Sequence, residues 1–174
     1  MAGGGWRQSA AQRRLWERSN AITAIRVPPS PRLNALAAQL AATLATGDRP
    51  RVQAVSQALL DAYCGALRVP RLQVEVEGTR PTNHYGELHG LYRPGNGRTR
   101  DRVQVWMHTA RRGQVVAFKT FLRTLLHELG HHLDYEYLKL PGSVHTEGFY
   151  RRENSLFYAA LPRRDAPPVT RIPS

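Results

Sequence analysis

The chain has 174 residues, of which 41% are hydrophobic, and this composition fits one compact domain with a sizeable core. Its single cysteine, Cys64, excludes a disulfide framework and a cysteine-based zinc ribbon, and a buried structural thiol is expected. The formal net charge of +12 favours an acidic partner, nucleic acid above all, although a GC-rich genome would also enrich arginine.

No stretch approaches the ~18–20 consecutive apolar residues of a membrane span. The first residues are polar and arginine-bearing, without the apolar centre of a signal peptide. A protein without membrane contact, located in the cytoplasm, is therefore expected.

The two ends of the chain differ in composition from its middle. Residues 1–32 hold six arginines and one acid and end in a proline-rich run, which predicts a flexible basic arm with a short helix around Ala10–Ser19. Residues 162–174 contain four prolines and are expected to form a disordered tail. The folded domain is predicted to span residues 33–161.

Helical and strand patterns alternate inside this domain. Alanine- and leucine-rich helices are predicted over Leu33–Thr46, before Gly47, and from Pro50 to about Leu67. Strands are predicted at Leu72–Glu77, where apolar and polar residues alternate, and at Val103–Met107. The order indicates an α+β domain in which a small sheet packs on helices.

A long apolar-periodic segment lies between Gly113 and Leu140, without an internal proline. Its apolar residues recur at intervals of three and four, which predicts a helix with one broad buried face. Pro141-Gly142 supplies a stop signal. Near its end the segment carries a His-Glu-x-x-His motif at His127–His131. The apolar positions are Val115, Val116, Phe118, Phe121, Leu122, Leu125, Leu126, Leu129 and Leu133.

The spacing of this motif has a direct chemical meaning. Two histidines four residues apart project from one face of a helix at roughly 6 Å, close enough to share a metal ion. The intervening Glu128 can reach a water molecule bound to that ion. The pattern therefore predicts two zinc ligands, His127 and His131, and a general base, Glu128.

A catalytic zinc site needs a third protein ligand and an open position for water. His132 points about 100° away from the motif face, so a solvated or packing role is expected. Asp134 lies near that face, where it either orients a ligand histidine or serves as a cap or surface residue.

The remaining contenders follow the Pro-Gly turn, where a second helix is predicted to start near Ser143 or Thr146 and to run to about Leu161. His145 lies at its entrance and Glu153 two turns further on. Eight helical residues span ~12 Å, so one metal ion cannot easily take both.

The motifs resemble those of zincin metallopeptidases, most closely the SprT-like (Spartan-type) family, over residues 102–161. That family pairs His-Glu-x-x-His with a later His-Gly-x-x-Phe/Trp element, which His145 and Phe149 match. The family's glycine is Thr146 here, which is a departure. The resemblance implies a minimal zincin-like fold, His145 as the third ligand of Zn²⁺, and a zinc-dependent endopeptidase acting on protein bound to DNA, with non-specific DNA contact.

Two other interpretations stay open. Residues 153–161 are similar to a helix of ImmA/IrrE-type peptidases, which implies Glu153 as the third ligand and a repressor as the substrate. Asn154 departs from that pattern, and we favour His145. The other interpretation is a basic nucleic-acid-binding protein with a structural zinc ion, against which Glu128 argues because a structural site needs no base. Tyr150 and Arg151 are candidates, by position, for stabilising the oxyanion.

Overall fold

The computed structural model describes residues 9–84 and 86–162, which form one mixed α+β assembly, as predicted. The helices of this part are α1 Ala10–Ala21, α2 Pro31–Thr46, α3 Arg49–Leu67, α4 Phe118–Glu136 and α5 Glu147–Ala160. The strands are β1 Gln73–Thr79, β2 Thr82–Asn83, β3 Gly86–Glu87, β4 Gly90–Arg93 and β5 Arg102–His108.

The main sheet has three strands in the order β1-β5-β4. β1 and β5 run parallel, with Val74 opposite Val103, and β4 runs antiparallel to β5. Because β4 pairs only with β5 among the described strands of this sheet, it forms an edge next to α4. The apolar face of the sheet joins the helices in one core, and Cys64 is buried there as expected.

Local signals in the sequence account for the helix ends. Ser30 caps α2 by accepting from the Leu33 amide, and Gly47 ends that helix with a φ of 70°. Thr146 caps α5, since its hydroxyl accepts from the amide of Phe149. The threonine that departs from the SprT-like pattern thus begins the second predicted helix.

Helix α4, which carries the His-Glu-x-x-His motif, is shorter than the apolar-periodic segment that predicted it. α4 begins at Phe118, because Val115 instead forms a bridge with His108 at the end of β5. It ends at Glu136, before the predicted Pro-Gly stop, and Lys139 then takes a positive φ of 52°. The motif still lies in the second half of a helix whose apolar face is buried, as predicted.

The N-terminal segment requires a correction. We predicted a flexible arm outside the domain for residues 1–32, and this is wrong for residues 9–32. Helix α1 forms where a short helix was predicted, with a capping box between Ser9 and Gln12. Ser19 and Ile25 are buried, and the segment packs against α5. The folded unit thus begins well before residue 33.

Part of the predicted organisation lies outside the described residues. This holds for residues 1–8 of the arm and residues 163–174 of the tail. Within the described part, no helix is both long enough and apolar enough to cross a membrane.

Candidate metal centre

Three histidines from two parts of the chain meet at one point. His127 and His131 project from α4, and His145 reaches them from the loop before α5. The Nε2 atom of His145 lies 3.1 Å from Nε2 of His127 and 3.0 Å from Nε2 of His131. The candidate ligand atoms of the three residues all lie within 4.8 Å of one another, so they could hold one metal ion.

The opposite ring nitrogens of the two α4 histidines face oxygen acceptors. Nδ1 of His127 lies 2.9 Å from Oε2 of Glu153. Nδ1 of His131 lies 2.6 Å from the Ser143 hydroxyl, which donates to Oδ2 of Asp134 at 2.7 Å. Both Nδ1 atoms are therefore placed to carry the ring proton, which leaves the Nε2 lone pairs for a metal ion.

The local electrostatics favour the neutral imidazole at His131 and at His145. Burial lowers the pKa of His131 to about 3, and the neighbouring His127 and His145 act in the same direction. Burial, together with His127, also lowers the pKa of His145. Neutral imidazole is the form that binds a metal, and unshared lone pairs this close repel one another. The donor set thus suits a divalent cation.

Phe149 packs against all three imidazole rings. Its ring centroid lies 5.0 Å from that of His127, 4.8 Å from His131 and 5.2 Å from His145. Gly130 leaves room for this ring, because a Cβ atom there would lie 3.2 Å from a Phe149 ring carbon. The aromatic residue four positions after His145 is therefore the apolar floor of the cluster.

Glu128 lies between α4 and the edge strand β4. Its side chain is buried, and burial raises its pKa to about 7, while His127 and the backbone amide of Tyr92 act in the opposite direction. Gly90 allows this approach, because a Cβ atom there would lie 2.6 Å from Oε1 of Glu128. A carboxylate whose pKa is near neutrality can both take up and release a proton.

These groups open onto one cleft of about 1200 Å³. Glu128 and the three histidines line it, together with Gly90, Leu91 and Tyr92 of β4. The ring of Tyr150 also faces the cleft, 5.9 Å from the ring of His145 and half-exposed. Arg151 instead pairs with Glu147 on the surface, at 2.6 Å.

Glu153 is close to the cluster but is placed behind it. Its two carboxylate oxygens face Nδ1 of His127 and, at 3.0 Å, the guanidinium of Arg123. Burial would raise the pKa of Glu153, but these two hydrogen bonds outweigh burial and lower it. The carboxylate is therefore held as an acceptor that orients His127, rather than meeting the other two histidines.

The two neighbouring residues that we considered take different roles. His132 is buried, with Nδ1 2.7 Å from Asp101 and Nε2 2.8 Å from the Pro70 carbonyl oxygen, which confirms a packing role. Asp134 is also buried, and through Ser143 it orients His131, which is the first of the two roles that we considered for it.

The sequence did not lead us to two residues that take part in the site. Ser143 was seen only as a helix start, and Arg123 only as one of many arginines. A serine next to a Pro-Gly turn carries no signal of its own. Arg123, however, lies one helical turn before His127, a spacing that could have suggested a partner near that ligand.

No protein-family model, curated protein or solved structure matches this chain in the comparisons.

Proposed function

We propose that this protein is a zinc-dependent endopeptidase with a zincin-like site. The observation that carries the proposal is the convergence of three histidine Nε2 atoms in an open cleft that also contains the Glu128 carboxylate. Among residues 9–84 and 86–162, three histidines meet there without a fourth protein ligand, an arrangement typical of a catalytic rather than a structural zinc site. The resemblance of the motifs to the SprT-like family agrees with this function.

The residues of the chain divide the chemistry between them. A zinc ion held by His127, His131 and His145 would supply Lewis acidity and lower the pKa of bound water. Glu128 takes a proton from the attacking water on its carboxylate and delivers it to the leaving amine nitrogen. Burial raises the pKa of the Glu128 carboxyl, which is the direction that the second transfer needs.

The edge strand offers a way to hold an extended peptide. β4 pairs with β5 on one side, and its residues Gly90, Leu91 and Tyr92 line the cleft. A substrate segment that pairs with β4 would add a strand to the sheet and bring its backbone past Glu128. Such pairing uses main-chain groups, so it favours unfolded or extended protein over one fixed sequence.

The proposal is tested by metal dependence. The purified protein is expected to contain about one equivalent of zinc, as a three-histidine site requires. Digestion of casein should stop when a chelator removes the metal and return when zinc is added back. Casein digestion that persists in the metal-free protein would contradict the proposal.

The third ligand can be assigned by two substitutions. His145→Ala should lower zinc affinity by more than about 100-fold, beyond the range for residues that only orient a ligand. Glu153→Gln keeps an oxygen facing His127 and should cost no more than about tenfold. Chelator competition measures both constants. The reverse order of effects would assign Glu153 as ligand, as in the ImmA/IrrE-type interpretation, and would leave the peptidase proposal standing.

A DNA-associated substrate is favoured by the charge of the chain. Of its 25 basic residues only Lys119 and Lys139 are lysines, and the others are arginines. Arg14 and Arg18 are exposed and lie four residues apart on one side of helix α1. Two neighbouring guanidinium groups on one helix face suit contact with phosphates.

Binding to DNA should be independent of sequence and should weaken steeply with salt, because each neutralised phosphate releases counterions. Charge reversal at Arg14 and Arg18 should reduce the salt slope by about one for each arginine that contacts phosphate. Reversal at Arg49 and Arg51, which pair with Glu77 and Asp48, is the matched control. Titration of single- and double-stranded oligonucleotides measures both. If no binding is detected at low salt, the proposal of a DNA-associated substrate is contradicted.

A further inference from the structure

Arg152 is the largest fully buried side chain of the described residues, and the proposed chemistry does not use it directly. Arg152 follows the surface residue Arg151 in sequence, but its own side chain is only 2% exposed. A buried guanidinium needs partners for its donors. The identity of those partners shows what Arg152 does.

The guanidinium joins two parts of the molecule. One nitrogen donates to the carbonyl oxygens of Ser19 and Ile22, each at 2.6 Å. The other donates to Oδ1 of Asp134 at 2.9 Å and to the Ser19 hydroxyl at 3.1 Å. Ser19 lies in the last turn of α1, where its carbonyl oxygen also accepts from the Ile22 amide at 3.4 Å and where a positive charge is favourable.

The second oxygen of Asp134 continues this chain of contacts toward the histidines. It accepts from Ser143, whose oxygen faces Nδ1 of His131. Each link is a hydrogen bond of ordinary length, and Asp134 is fully buried, so it has no water to replace a lost partner. A shift of Arg152 would therefore be transmitted to the orientation of the His131 ring.

Helix α1 is held against α5 so closely that only glycine fits between them. A Cβ atom at Gly148 would lie 2.7 Å from the Ser19 carbonyl oxygen and would also contact the carbonyl oxygen of Asn20. The Gly148 amide donates to the Asn20 side chain at 3.0 Å. The C-terminal end of α1 is thus held where its carbonyl oxygens accept hydrogen bonds from Arg152.

We propose that Arg152 is a positioning residue of the metal centre, and that through it the C-terminal end of α1 becomes part of that centre. The inference rests on the proposed metal-binding function of the three histidines but not on peptidase activity. Removal of residues 1–32 should therefore weaken zinc binding, since that segment supplies the Ser19 and Ile22 carbonyl oxygens to Arg152.

The test measures zinc affinity in the full-length chain by chelator competition. Arg152→Met should raise the zinc Kd by about ten- to hundredfold, the range for residues that orient a metal ligand. Ser143→Ala, which removes the link next to His131, should have an effect of the same size. The double variant should add little to either, because both act along one chain of contacts. Arg151→Met is the matched control and should leave the Kd within about twofold, since its partner Glu147 is exposed.

Two glycine substitutions test the role of α1 without changing any charged side chain. Gly148→Ala should displace α1 and raise the zinc Kd by about tenfold. Gly65→Ala places the same methyl group on α3, where nothing lies within 4 Å of it, and should leave the Kd unchanged. If Arg152→Met fails to fold, this pair and Ser143→Ala decide the question.

The absorption spectrum of the cobalt-substituted protein separates positioning from stability. Altered orientation of His131 should change the intensity and position of the visible bands in Arg152→Met and Gly148→Ala, but not in Arg151→Met. A lower melting temperature combined with an unchanged Kd and an unchanged spectrum would overturn the inference. If the wild type binds zinc and Arg152→Met weakens that binding, but the wild type cleaves no protein, only the proposed peptidase activity is refuted. If the wild type binds neither zinc nor cobalt, both this inference and the proposed peptidase are refuted.

Discussion

Glu128→Gln is expected to keep about one equivalent of zinc and to lose peptidase activity by about 10²- to 10⁴-fold, the contribution of a positioned general base. Glutamine has the same shape as glutamate and can still accept from the Tyr92 amide, but it cannot take up the proton of the attacking water. Zinc content and the rate of casein digestion, measured on the same preparation, check both parts.

Glu136→Gln is the matched control for this substitution. Glu136 lies at the end of the same helix, forms an exposed pair with Lys139, and is not among the described residues that line the cleft. Its substitution should change neither zinc content nor activity. A Glu128→Gln protein as active as the wild type would refute the assigned base and the mechanism with it.

Replacing a motif histidine is expected to remove the metal itself. His127→Ala and His131→Ala each leave two of three ligands, and two imidazoles hold zinc poorly. Each variant should be isolated with far less than one equivalent of zinc, and activity should be lost with the metal. Metal analysis after dialysis against a weak chelator is the measurement.

His132→Ala provides the contrast, because His132 lies next to a ligand but faces away from the cluster. Its loss leaves the Pro70 carbonyl oxygen and the Asp101 carboxylate without this partner, which should cost about 1–3 kcal/mol in the free energy of unfolding. The folded protein should still bind zinc. Loss of zinc from His132→Ala in its folded state would show that the ligand assignment within the His-Glu-x-x-His segment is wrong.

The parts that could be predicted from the sequence are those set by local periodicity. The spacing of His127 and His131 follows from the helical repeat, and the helices before and after them have recognisable starts and stops. The resemblance to the SprT-like family, through the match of His145 and Phe149, implied His145, and the structure brings it to the same point as the two motif histidines. These features depend on residues that are near one another along the chain.

The parts that could not be predicted depend on contacts between distant residues. Arg152 lies 133 positions from Ser19, and periodicity alone does not reveal that an arginine beside another arginine is buried. Its position three residues after Phe149 and four before Leu156 places it on the buried face of α5, but its charge suggested the surface. The misjudged arm has the same cause, since α1 carries few apolar residues and is held largely by polar contacts with α5.

The most direct test of the central claim is to map the cleavage products of an unfolded protein by mass spectrometry. Zinc-loaded wild-type protein should generate new internal termini in casein, with and without added oligonucleotide. The metal-free wild type and zinc-loaded Glu128→Gln should generate none at the same concentration. Absence of internal cleavage by the zinc-loaded wild type, or equal cleavage by all three preparations, would contradict the assignment of this protein as a zinc-dependent endopeptidase.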